Sequence, residues 1–117
     1  MLLEFRVGNF RSIRDVQALS LVASSDKEHS DTHLEATGIA TSPNAIKSAV
    51  IYGANASGKT SLLMALEYMR AVVAESATFI QPGQTYNVQR FKLDDSYEGK
   101  PSSFEITFLL DGLRYEY

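Results

Sequence analysis

The stretch GANASGKT, residues 53–60, constrains this chain more than any other part of its sequence. It fits the spacing G-x-x-x-x-G-K-S/T, in which a loop curls so that successive backbone N–H groups face one anion. The spacing predicts that Gly53 starts the curve, that Gly58 leaves room for phosphate oxygens, and that Lys59 supplies a cation. It also predicts that Thr60 presents its hydroxyl to Mg²⁺. A strand is expected before such a loop and a helix after it.

The loop and the residue after it form the candidate binding site for a nucleotide and its metal ion. Its members are Gly53, Ala54, Asn55, Ala56, Ser57, Gly58, Lys59, Thr60 and Ser61, with Thr60 as the metal ligand. The alternative is a Gly-rich turn from strand to helix with Lys59 on the surface. That alternative does not explain why Gly58, Lys59 and Thr60 occur together.

Hydrophobic periodicity places the loop in an α/β fold with a mixed sheet. Residues 2–8 alternate and predict a strand, and residues 15–22 predict a second strand that forms a hairpin with it after a turn at Gly8-Asn9. Residues 47–52, KSAVIY, are a short β-branched run typical of a buried parallel strand.

The helix expected after the loop covers residues 59–76, which contain no Gly or Pro. Leu62, Leu66, Met69 and Val73 recur at helical spacing, which predicts one buried face.

Residues 88–117 are expected to form an antiparallel portion. Residues 104–110 and 113–117 alternate on either side of Asp111-Gly112, a favoured two-residue hairpin turn. Asp111 also follows an apolar run, as a second Mg²⁺-holding Asp does in some phosphate-loop enzymes. The hairpin interpretation accounts for more of the residues.

Residues 23–45 are rich in Ser, Thr, Asp and Ala and predict a long polar surface loop. His29 and His33 lie here among Glu28, Asp31 and Glu35, which are possible metal ligands by type. A solvated polar loop is the interpretation we favour, because no rigid element fixes the geometry of such ligands.

Composition narrows the class of protein. The net charge of −3 argues against DNA or RNA binding through bulk positive charge, although a nucleic-acid partner stays undecided. The absence of cysteine removes disulfides and thiol chemistry. No signal peptide or apolar stretch long enough to span a membrane is present, so we expect a cytoplasmic chain.

Several segments together resemble a known group. The opening LLEFRVGNFRSIRDVQALSL, the run KSAVIYGANASGKTSLLMALEYM and the tail SSFEITFLLDGLRYEY are similar to ABC-class ATPase heads of the SMC, RecF and OLD type. The similarity is strongest to AAA-type ATP-binding proteins of bacterial anti-phage and abortive-infection systems. The resemblance covers most of the chain. It implies that residues 1–117 form the N-terminal portion of a single phosphate-loop ATPase domain.

The resemblance implies ATP and Mg²⁺ as ligands, and it implies that Arg11 reaches toward the phosphates. The alternative for Arg11 is a surface residue that pairs loosely with Asp15. The pattern departs at Ala56, where many ABC loops have Gly, so we expect the backbone there to keep a negative φ.

The resemblance also defines what this chain lacks. No catalytic residue, signature segment or switch His is identified, and Gln81, Gln84 and Gln89 are equal candidates for a loop Gln. We therefore expect an ATPase that works as a homodimer of paired heads in a complete protein, coupled to an effector such as a nuclease, and little turnover by these residues alone. The alternatives are a nucleotide-binding regulatory module without turnover and a small kinase.

Overall fold

A computed structural model describes residues 1–25, 29–79, 83 and 86–117, with the side chains of residues 76–79 excepted. These residues divide into two compact units. The sheet unit comprises residues 1–6, 18–51 and 105–117, and the helix unit comprises residues 7–17 and 52–104. Gln81 and Gln84, two of the candidates for a loop Gln, lie outside the described residues. Glu28, from the possible metal cluster, lies outside them as well.

The described residues form an α/β fold with an antiparallel portion. In chain order the elements are β1 (Leu2–Gly8), β2 (Gln17–Ser20), α1 (Ser30–His33), β3 (Leu34–Ala36), β4 (Asn44–Ile46), α2 (Lys59–Phe79), a 3₁₀ turn (Asp95–Tyr97), β5 (Ser103–Leu110) and β6 (Leu113–Glu116). Among them, four strands form a sheet in the order β2-β1-β5-β6, and β3 and β4 form a separate antiparallel pair.

Strand β1 has the bounds and the alternation that the sequence predicts. Leu3, Phe5 and Val7 are buried, and Arg6 between them is exposed. Complete burial of such side chains contributes roughly 1.5–3 kcal/mol each. Strand β2 is shorter than predicted, and it lies beside β1 in the sheet.

The turn between β1 and β2 lies further along the chain than Gly8-Asn9. Gly8 is the last residue of β1, and the chain reverses at residues 11–12, between the bridged residues Phe10 and Ile13. Both of these apolar side chains are buried. Burial of Phe10 and Ile13 favours their pairing with each other beyond the end of β1. The turn therefore lies between them, further along the chain than predicted.

The hairpin of β5 and β6 forms around Asp111-Gly112 as predicted. Asp111 has φ 50° and Gly112 has φ 76°, so both turn residues are left-handed, and Leu110 pairs with Leu113. The rings of Phe108 and Tyr115 stack across the two strands, with centroids 5.4 Å apart. The hairpin therefore accounts for Asp111.

We expect Gly112→Ala to lower the free energy of unfolding by about 1–2 kcal/mol, because alanine is strained in the left-handed region. A Cβ at this position meets open space, so the cost arises from the backbone alone. Asp111→Asn is the matched control, since asparagine tolerates this conformation, and it should change stability by less than about 0.5 kcal/mol. Urea unfolding followed by circular dichroism measures both, and equal midpoints would contradict the prediction.

Residues 23–45 contain more structure than the predicted polar loop. Helix α1 and strands β3 and β4 occupy part of this segment, and Ala45 is completely buried. Backbone pairing of Ala36 with Asn44 satisfies the polar groups of a segment whose side chains show little periodicity. The predicted long loop is therefore interrupted by these short elements.

The predicted buried strand at residues 47–52 is not formed. These residues are in no strand, and the side chains of Val50, Ile51 and Tyr52 are exposed. A buried parallel strand needs neighbouring strands to bond its backbone and cover on both of its faces. In the described part of the chain, this run belongs to neither of the two sheets.

Helix α2 extends to Phe79, three residues beyond the predicted end, and its buried face is rotated from the predicted one. Ser61, Ala65 and Met69, four residues apart, are its buried side chains. The predicted stripe of Leu62, Leu66, Met69 and Val73 is buried only at Met69, and Val73 is half exposed. The small residues Ser61 and Ala65 allow close packing on this face, which apolar spacing alone does not reveal.

Candidate functional site

The loop of residues 53–60 leads directly into α2, which begins at Lys59. A cavity of about 180 Å³ lies at this helix end, lined by Ser12, Ala56, Ser57, Gly58, Lys59, Thr60 and Ser61. Helix N-termini favour anions, because unpaired N–H groups and the helix dipole present positive charge there. None of the residues that line the cavity is acidic. The cavity is therefore suited to a negatively charged ligand.

Lys59 folds back over its own loop. Its Nζ donates hydrogen bonds to the carbonyl oxygens of Gly53 (2.8 Å) and Ala54 (2.7 Å), and it lies 3.4 Å from the Ser57 hydroxyl. These contacts place the ammonium on the loop beside the helix N-terminus. The role of Lys59 as the cation that binds phosphate stays a prediction.

The loop backbone reverses at two residues with positive φ, Ala56 (63°) and Gly58 (94°). Glycine at position 58 is therefore required by conformation as well as by the space it leaves. The expectation of a negative φ at Ala56 was wrong. The curve of the loop needs a left-handed residue there, and alanine adopts that conformation at a cost.

We expect Ala56→Gly to raise the free energy of unfolding of the helix unit by about 0.5–1 kcal/mol, since the relieved strain exceeds the entropy cost of glycine. Ala54→Gly is the control, because Ala54 is not left-handed and the substitution should be destabilising. Thermal unfolding of both variants measures the difference. Destabilisation by both substitutions would show that Ala56 is not strained.

The other predicted loop residues fall into two groups. Thr60 and Ser61 line the cavity, and Thr60 is exposed whereas Ser61 is 7% exposed. Gly53, Ala54 and Asn55 are exposed and do not line the cavity, although the first two hold Lys59 through their carbonyls.

Arg11 lies elsewhere in the helix unit. Its Nη1 donates to Oε1 of Gln89 at 2.5 Å, and its backbone N–H donates to the Gln89 carbonyl at 2.8 Å. It is not among the residues that line the loop cavity. Asp15, the alternative partner of Arg11, instead accepts hydrogen bonds from Tyr97 and Arg14, which lower the pKa of that carboxyl.

Sequence reasoning missed two polar residues before β2, of which Ser12 lines the cavity and Asn9 does not. Ser12 contributes to the cavity wall, and its hydroxyl lies 2.6 Å from that of Ser61. Asn9, only 4% exposed, donates from Nδ2 to the carbonyls of Lys100 and Pro101 and accepts from the N–H of Phe91. Both belong to the run N-F-R-S, residues 9–12, which lies in the opening segment that resembles the ATPase heads.

The possible metal cluster at His29 and His33 is not formed. Their rings lie 5.4 Å apart, and no group of three or more His, Asp or Glu side chains is placed to hold a metal within the described part of the chain. In that same part, no helix is long and apolar enough to cross a membrane.

Comparison with known families agrees with this geometry and defines an AAA-type, ATPase-like region. The chain belongs to the family described as "AAA domain, putative AbiEii toxin, Type IV TA system", whose model matches residues 48–117, more than half of the chain. The match covers the loop, α2 and the C-terminal hairpin. No curated protein and no solved structure matches the chain.

Proposed function

We propose that residues 53–61 bind ATP with Mg²⁺, as the nucleotide-binding part of an ABC-class ATPase. One observation carries the proposal. The ammonium of Lys59 lies against the carbonyls of its own loop, beside a cavity at a helix N-terminus that has no acidic wall. Membership of the AAA family supports it, since such domains use ATP and Mg²⁺.

The contacts of Lys59 suggest how a phosphate would be held. Its ammonium is bonded to two neutral carbonyl oxygens of the loop. Phosphate oxygens are charged acceptors, and hydrogen bonds between charged groups are roughly twice as strong as neutral ones. A nucleotide would therefore draw Lys59 from the carbonyls without leaving it unpaired.

Mg²⁺ would be bound by the phosphates together with the Thr60 hydroxyl. This ion keeps several waters and needs few protein ligands, so one exposed hydroxyl beside the phosphates fits it. When bound, Mg²⁺ neutralises charge on the phosphate oxygens. Arg11 remains a proposed phosphate ligand, and this role requires its guanidinium to exchange Gln89 for phosphate.

Hydrolysis would require a group that positions water, and the cavity wall has no carboxylate for it. We propose that in a complete protein, where two heads pair, residues other than these supply the missing groups, and that turnover acts on an effector such as a nuclease. The cavity wall without a carboxylate also favours a second function, in which nucleotide binding alone regulates assembly.

Calorimetric titration with a non-hydrolysable ATP analogue, with and without Mg²⁺, tests the binding proposal. We expect saturable binding that Mg²⁺ strengthens, together with a rise in melting temperature. Ligand at a hundred times its Kd adds about 2.7 kcal/mol to the stability of the bound state. Absence of both effects would contradict the proposal.

A turnover assay and sedimentation of a complete protein with paired heads separate the two functions, since little turnover is expected of these residues alone. The ATPase proposal expects the analogue to promote dimers and ATP to reverse them. Persistent dimers with ATP, and no phosphate release, would support regulation by binding alone.

A further inference from the structure

The phosphate loop contacts a residue outside its own sequence. Ser12 lines the same cavity as residues 56–61, and its Oγ is 2.6 Å from the Oγ of Ser61. Ser61 is nearly buried in the first turn of α2, whereas Ser12 is exposed. The hydroxyl pair therefore links the turn after β1 to the helix end that bounds the cavity.

The turn that carries Ser12 is held in place by its own hydrogen bonds. Phe10 and Ile13 exchange both backbone bonds, at 2.9 and 2.8 Å, and the N–H of Asn9 donates to the Arg14 carbonyl at 3.0 Å. Phe10 and Ile13 are also buried. Ser12 is thus presented on a rigid support, as a positioning group must be.

Ser12 also lies close to Gly58, the second left-handed residue of the loop. A Cβ on Gly58 would lie 3.6 Å from the Ser12 hydroxyl, which is ordinary van der Waals contact. Ser12 therefore lies beside Gly58 while it bonds Ser61, three residues further along. In the sequence, Gly58 and Ser61, the two residues that Ser12 contacts, lie on either side of Lys59 and Thr60.

The chemistry of the pair favours an indirect role for Ser12. Each hydroxyl has one hydrogen to donate. The hydrogen bond between Ser12 and Ser61 uses one of these two hydrogens. The bond fixes the rotamer of Ser61 and holds the first turn of α2 against the rigid turn. The backbone groups of that turn are the ones an anion would meet.

We propose that Ser12 is a positioning residue of the phosphate site, which acts through Ser61 to hold the loop and the first turn of α2 in the geometry that binds phosphate. The effect on nucleotide affinity rests on the function proposed above. The effect on the loop itself does not, because the hydroxyl pair is a contact between two residues of the chain.

Six proteins test this inference: the unsubstituted chain, Ser12→Ala, Ser61→Ala, the double variant, Ser12→Thr and the control Ser48→Ala. Two quantities are measured, the Kd for the Mg²⁺–analogue complex and hydrogen exchange of residues 58–62 without ligand. We expect Ser12→Ala to weaken binding roughly fivefold, the effect of one hydrogen bond, and to speed exchange. Ser12→Thr keeps the hydroxyl and should restore both.

The double variant shows whether Ser12 acts through Ser61. If it does, the double variant binds no more weakly than Ser61→Ala. Additive losses would overturn the indirect role. Ser48→Ala is the control, because this exposed serine does not line the cavity.

Failure of the inference and failure of the proposed function give different results. If Ser12→Ala matches Ser48→Ala in both measurements while the unsubstituted chain binds the analogue, only the positioning role is wrong. If the unsubstituted chain does not bind, ATP binding is contradicted, and hydrogen exchange alone decides whether Ser12 orders the loop.

Discussion

Lys59→Ala should weaken binding of the Mg²⁺–ATP analogue complex by roughly a hundredfold, or about 3 kcal/mol, because it removes the charged hydrogen bonds to phosphate. The folded chain should change little, since Lys59 bonds only to exposed residues of its own loop. Calorimetry gives the affinity, and thermal unfolding without ligand gives the stability.

Lys92→Ala is the matched control for charge. It removes one positive charge from the same unit, and Lys92 does not line the loop cavity. We expect its affinity to stay within about twofold of the unsubstituted value, as for a screened surface charge. Equal losses in the two variants would mean that overall charge, and not the loop lysine, attracts the nucleotide.

Asn9→Ala should lower the free energy of unfolding by about 3–4 kcal/mol, the sum of three side-chain hydrogen bonds and the strain of alanine in the left-handed region. The side chain is buried, its φ is 50°, and its partners are Phe91, Lys100 and Pro101. Urea unfolding followed by tyrosine fluorescence suits a chain with six tyrosines and no tryptophan.

Two controls divide the effect of Asn9→Ala into its parts. Asn9→Gly removes the hydrogen bonds but tolerates the positive φ, so it should cost about 1 kcal/mol less than alanine. Asn87→Ala removes an exposed asparagine of the same unit and should be nearly neutral. If Asn9→Ala unfolds at the same urea concentration as Asn87→Ala, the bonds of Asn9 do not hold residues 91–101.

Patterns in short stretches of sequence correctly predicted the elements whose conformation depends mainly on adjacent residues. Alternation in residues 2–8 predicted β1, and Asp111-Gly112 predicted the β5–β6 hairpin, because side-chain period and turn conformation are properties of a few adjacent residues. Helix α2 was predicted nearly to its end for the same reason.

The wrong predictions concern elements that depend on distant neighbours. Residues 47–52 have the composition of a buried strand, but composition does not supply the strands that must flank it. Residues 34–36 and 44–46 lack a strong pattern, yet they pair, because each satisfies the backbone of the other. The buried face of α2 likewise depends on which side chains it meets.

The sequence by itself determined the loop, its lysine and the helix that follows, because the spacing G-x-x-x-x-G-K-T carries its own chemistry. Only the tertiary structure decided which residue of N-F-R-S reaches the cavity. Arg11, whose role toward phosphate stays a prediction, pairs with Gln89, and Ser12 lies beside Gly58 and Ser61. Contacts across 49 residues depend on how the turn and the helix pack, and no local pattern contains that information.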